Sequence, residues 1–128
     1  MKRMLPITYK PKEAGIRDGS IRQTFRKDWK FIPGDEIGFY GWVGKPYRSK
    51  WSFKTEYFTV RSALPVVVSE DGIEWYIAST PDEPVAFSTW DKLNDVAKLD
   101  GIDPPTGTAL RDVLLSNGVT GKSQIIRW

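Results

Sequence analysis

Hydrophobic and polar positions along the chain switch between short alternating runs and helical spacing. Ile21 to Arg26 alternates, with Arg22, Thr24 and Arg26 on one face and Ile21 and Phe25 on the other, and predicts a strand. Pro33-Gly34-Asp35 reads as a turn, since Pro and Gly preset the dihedrals and Asp bonds its own backbone. Glu36 to Val43 (EIGFYGWV) predicts an apolar, aromatic strand, and the next strand begins around Glu56 (EYFTVRSA). PVVVS and IEWYIAS flank Glu70-Asp71-Gly72, a hairpin signal, and SQIIRW predicts a closing strand. Lys10 to Asp18 predicts a short helix with Pro11 near its start and Gly19 as its stop. Leu93 to Leu99 predicts a second helix, and Thr108 to Leu115 a third that ends at Asn117-Gly118. GKPYRSKWSFK and TPDEPVAFSTWD read as loops whose aromatics pack. There is no internal repeat and no low-complexity segment. This order predicts an α+β chain built as an antiparallel or mixed β-barrel, closed or nearly so, with peripheral short helices.

The chain has 128 residues, which suits one domain over 1–128 with a proper core. It has no cysteine and no histidine. That removes structural disulfides, thiolate zinc sites and cysteine nucleophiles, and it makes a transition-metal site unexpected. No metal and no cofactor is called for. Acid–base chemistry would fall to carboxylates, lysine, hydroxyls or bound water. No apolar run is long enough to cross a membrane and no signal region follows Met1, so a cytoplasmic location without membrane attachment is expected. Charge is uneven. Residues 1–61 hold 14 Lys/Arg against 6 Asp/Glu, a net of +8, and residues 62–128 hold 5 against 10, a net of −5. A basic half suits a polyanionic partner; the plainer alternative is charge scattered over a solvated surface.

Several side chains carry candidate chemistry. Arg22, Thr24 and Arg26 share a strand face that either is a solvated edge or looks into a pocket for an anion or a polar base. Arginine forks suit phosphates and base edges. The stretch GWVGKPYRSKWSFK interleaves Trp42, Tyr47 and Trp51 with Lys45, Arg48, Lys50 and Lys54. Rings of this kind stack on unpaired bases while cations hold phosphates. Alternatively the rings tuck into the barrel and the lysines stand in water. Asp100, before Gly101, is either a helix-terminal residue followed by a glycine cap or a functional acid, since an anion there opposes the helix dipole.

The segments RDGSIRQTFR, FIPGDEIGFYGW, VAKLDGIDPPTGTALRDVLL and SQIIRW, in this order, resemble the ASCH domain, a relative of the PUA RNA-binding barrel. The resemblance spans almost the whole chain. It implies a PUA-like β-barrel and a link to RNA or modified nucleosides. Some small ASCH proteins hydrolyse the amide of N4-acetylcytidine with a lysine, a threonine and an acid. Carried to this sequence, the threonine is Thr24 and the acid Asp100, while the lysine position holds Ile21. A hydrocarbon cannot take a proton or activate a hydroxyl. The expected function is therefore binding of RNA or a nucleotide in a basic, aromatic-lined cleft. The alternative is a hydrolase acting on a modified nucleoside or on RNA. A protein-interaction role, resting on the acidic second half, is a third reading.

Overall fold

The structure is a computed structural model that describes residues 1–42 and 51–128, with backbone only at 51 and 52. Among the described residues the fold is mixed α+β, with two sheets and three short helices. The first sheet contains β1 (Lys2–Pro6), β3 (Glu36–Trp42), β4 (Trp51–Lys54) and β5 (Phe58–Thr59). β3 is its spine: β1 runs parallel along one edge, and β4 and β5 share the other edge, antiparallel. The second sheet is antiparallel throughout, in the order β2 (Gln23–Lys27), β9 (Gly121–Arg127), β6 (Ser62–Val68), β7 (Gly72–Trp75) and β8 (Ala86–Thr89). Among the described residues no ladder joins the two sheets into one cylinder. The helices are α1 (Lys12–Asp18), α2 (Asn94–Leu99) and α3 (Gly107–Ser116), with a 3₁₀ turn at Trp90–Lys92 before α2. None of the described helices is long and apolar enough to cross a membrane.

Local chemistry accounts for most of these boundaries. Pro11 precedes the first turn of α1, and Gly19 closes it in the left-handed region at φ 85°, which glycine reaches without steric cost. The Thr106 hydroxyl accepts from the Ala109 amide 3.2 Å away and caps α3. The β6–β7 hairpin turns on Ser69–Gly72, as Glu70-Asp71-Gly72 predicts, with the Ser69 amide bonded to the Gly72 carbonyl at 3.0 Å.

Lys2–Pro6, for which no element is expected, forms a strand held by its parallel pairing to β3. Three expectations need correction. PVVVS is the second half of a longer strand, β6, that already begins at Ser62; Pro65 sits inside it, where a missing amide normally marks a boundary. TPDEPVAFSTWD is not all loop, because Ala86–Thr89 pairs with β7 as an edge strand. GKPYRSKWSFK ends in a strand too, Trp51–Lys54.

Two apolar clusters fill the interior. One lies between the second sheet and the helices and includes Phe25, Val66, Ile73, Trp90, Leu110 and Ile125. The other draws on both sheets and on α1, with Leu5, Ile16, Ile37, Phe39, Ile126 and Trp128. β9 serves both, because adjacent residues of a strand face opposite ways: Ile125 enters the first and Ile126 the second.

Candidate functional site

β2, the entry to α1 and the end of α2 converge on one cavity of about 480 Å³. Its lining includes Thr24, Arg26 and Lys27 from β2, Lys12 from the first turn of α1, and Asp100 from the C-cap of α2. α3 and the turn after it close another side with Leu114, Asn117 and Val119. Thr24 is 4% exposed, and Arg26 is half-buried with a guanidinium nitrogen donating to the Pro6 carbonyl at 2.9 Å. Thr24, Arg26 and Asp100 are thus brought together, as the alternation and the resemblance jointly predict.

The strongest feature of this cavity is an ion pair. Lys12 Nζ lies 3.1 Å from Asp100 Oδ2, and both side chains are only 5% exposed. Burial drives the two groups in opposite directions. It pushes the Lys12 amine below the ordinary lysine range, against the pull of Asp100, with a small further push from Arg26. It pushes the Asp100 carboxyl above the ordinary range, against Lys12, Gln23 and Arg26, which favour the charged form. The other oxygen, Asp100 Oδ1, is buried without a hydrogen-bond partner, an acceptor that dehydration leaves unsatisfied. Asp100 also sits where its own helix points partial negative charge, so Lys12 is its principal counterweight.

Ile21 explains how α1 and the Asp100–Gly101 corner stay in register. A β-carbon added at Gly15 would fall 2.2 Å from Ile21 Cγ1, and one added at Gly101 would fall 3.0 Å from Ile21 Cδ1. Ile21 is therefore wedged between the helix that carries Lys12 and the turn that carries Asp100. Gly101 has φ +80°, a second reason for glycine there. Phe25 points into the apolar cluster beneath the helices. Ile21 precedes β2 and packs against the other apolar cluster, so the two residues pack but do not share a strand face as the alternation predicts.

Other sequence candidates fall elsewhere. Arg22 is a correction: β2 begins at Gln23, so Arg22 precedes the strand. Its Nε doubles back to donate to the Gly19 carbonyl at 3.2 Å, outside the cavity. Trp42 is only 4% exposed and meets Tyr40 edge-on, with ring centroids 5.1 Å apart, so it packs where a stacking platform was expected. Lys54 lines a separate concavity of about 410 Å³ together with Arg17 and Phe53. Lys45, Tyr47, Arg48 and Lys50, and the side chain of Trp51, lie outside the described residues. Asp35 is a turn residue: its carboxylate accepts from the Ile32 amide and from the Met1 amine, and both hold its pKa below the usual range. Among the described residues no cluster of carboxylates could hold a metal ion.

Lys12 and Gln23 are the site residues that sequence reasoning missed. Gln23 is buried, accepts from Arg127 Nε at 3.0 Å and donates to the Val96 carbonyl at 3.3 Å, tying β2 to α2 beside Asp100. One signal for Lys12 was present. A lysine in the first turn of a helix faces the positive end of the dipole and needs a compensating anion.

Comparisons with family models, with curated proteins and with solved structures find no match to this chain.

Proposed function

We propose that this chain binds a nucleotide or a short single-stranded RNA segment, with the nucleoside in the cavity of Lys12, Thr24, Arg26 and Asp100. The observation that carries this is the cavity itself. Its volume of about 480 Å³ falls in the range of small-ligand sites, about 300–1,000 Å³, and charged and polar side chains share its lining with apolar ones. Arg26 and Lys27 stand on that lining too, where phosphate needs cations, and they belong to the strongly basic first half. The finer fold reading, a PUA-like barrel of the ASCH type, belongs to the same proposal. Its supports are the order of the sequence segments and the apolar cluster that draws on both sheets. The proposed location is the cytoplasm, on the cysteine-free composition.

A specific observation favours a second reading, hydrolysis of a nucleoside amide. Lys12 brings to the cavity, from α1, the amine that the resemblance places at Ile21. Its lowered pKa raises the share of neutral amine that can accept a proton. Cleaving the amide of N4-acetylcytidine consumes one water and releases acetate and the free amine. Thr24 makes no hydrogen bond to Lys12 or Asp100, and binding without turnover therefore comes first.

The test is titration of a fluorescent single-stranded RNA pentamer at several salt concentrations. Binding should weaken as salt rises, with a log–log slope of about −0.7 for each phosphate held. Thr24→Val should weaken it about three- to tenfold, the worth of one neutral hydrogen bond. No binding at low salt, or a flat salt dependence, contradicts the proposal. Incubation with N4-acetylcytidine separates the two readings: turnover abolished by Thr24→Ala favours the hydrolase.

A further inference from the structure

The far edge of the second sheet has chemistry of its own. β8 pairs with β7 on one side, and among the described residues no strand covers its other side. Such an edge presents unpaired backbone donors and acceptors, and native proteins normally blunt it with lysine, proline, a bulge or a covering segment. Ala86–Thr89 contains no charge and no proline, and its ladder to β7 runs without a register shift. Large apolar side chains stand in water beside it: Val85 is 59% exposed and Phe87 52%. They share a face by alternation, and Phe87 lies opposite Glu74 across the ladder.

Charge selects the occupant. From Ser69 to Asp91 the chain has six carboxylates and no lysine or arginine. Glu74 sits next to Phe87 in the sheet, and Asp82 and Glu83 lie just before Pro84-Val85. A second copy added through the same edge would set these acids against their own kind. A cationic strand would instead be drawn to this acidic run, with its apolar side chains on the face of Val85 and Phe87.

We propose that the β8 edge is a docking site for an extended peptide in which basic and apolar residues alternate, added to the second sheet as a sixth strand. Backbone pairing along Ala86–Thr89 supplies the geometry, and alternate side chains supply the selectivity. This surface is independent of the nucleotide cavity.

The probe is a fluorescein-labelled hexapeptide, Lys-Val-Lys-Phe-Lys-Val, titrated into the full chain at low salt and read by anisotropy. Amide hydrogen exchange is followed in parallel. Binding should slow exchange of the β8 amides at least tenfold. Phe87→Ser and Val85→Thr, both at exposed positions, should each weaken binding at least tenfold with thermal unfolding unchanged. The same peptide with proline for valine keeps its charge but cannot pair as a strand, and it should bind at least tenfold more weakly. Equal binding of the proline peptide, unchanged β8 exchange, or no binding overturns the proposal. So does sedimentation showing a dimer that Phe87→Ser dissociates, which would make a second copy the occupant.

Discussion

Removing either member of the Lys12–Asp100 pair should destabilise the fold strongly, with opposite dependence on pH. At 3.1 Å and an effective dielectric of about 20, the attraction is on the order of 5 kcal/mol. Much of that offsets the dehydration of two charges, so the pair as a whole adds little. A lone survivor has no such offset and escapes only by becoming neutral. For Asp100 in Lys12→Met, protonation at pH 7 from an ordinary value near 3.9 costs about 4 kcal/mol. For Lys12 in Asp100→Asn, deprotonation from near 10.4 costs about 5 kcal/mol. The signs follow from proton binding. In Lys12→Met the Asp100 pKa rises further above its unfolded value, the folded state holds more protons, and stability falls as pH rises above about 4. In Asp100→Asn the Lys12 pKa falls further below its unfolded value, the unfolded state holds more protons, and stability rises with pH toward about 10. Urea unfolding of the wild type, both single variants and Lys12→Met/Asp100→Leu between pH 5 and 9 reads this directly. The double variant should lie well above the sum of the single losses. Single losses under about 1 kcal/mol at pH 7, or parallel pH slopes, would refute a buried ion pair.

Gly15→Ala should destabilise by about 1–3 kcal/mol despite the gain in helix propensity of about 1 kcal/mol, because the new methyl collides with Ile21 Cγ1; a raised melting temperature would show that Ile21 is not wedged there. Ile21→Lys should cost stability through the same crowding and place a second cation near Lys12, and chemical denaturation of the variant checks it. Arg22→Ala should leave stability within about 0.5 kcal/mol and RNA affinity within about threefold, since Arg22 is exposed and bonded only to a nearby carbonyl; a larger loss of affinity would return Arg22 to the site.

What was legible in the sequence was whatever rests on neighbours in the chain. Pro11 and Gly19 bracket α1, and Asn117-Gly118 ends α3, because caps and turns are local. Alternation placed Thr24 and Arg26 together and turned Phe25 inward, because strand geometry is local too. Arg22 escaped that rule only because β2 starts one residue later. What was not legible depends on distant partners. β1 is a strand because β3 lies beside it, and β8 because β7 does; neither carries a pattern strong enough alone. Lys12 takes on its role only because the fold brings Asp100 to it from far along the chain. Trp42, read within a run of cations, belongs instead to the interior, a matter of which β3 face looks inward.

The central claim is that the cavity beneath β2 takes a nucleotide. The most direct measurement is a titration of the isotope-labelled protein with cytidine 5′-monophosphate, followed by amide chemical shifts. The account predicts saturable shifts concentrated at Thr24, Arg26, Asp100, Ile102 and Asn117, the amides around the cavity, and their loss in Lys12→Met under conditions where that variant remains folded. Shifts confined to other surfaces, or no shifts at millimolar ligand, would contradict it.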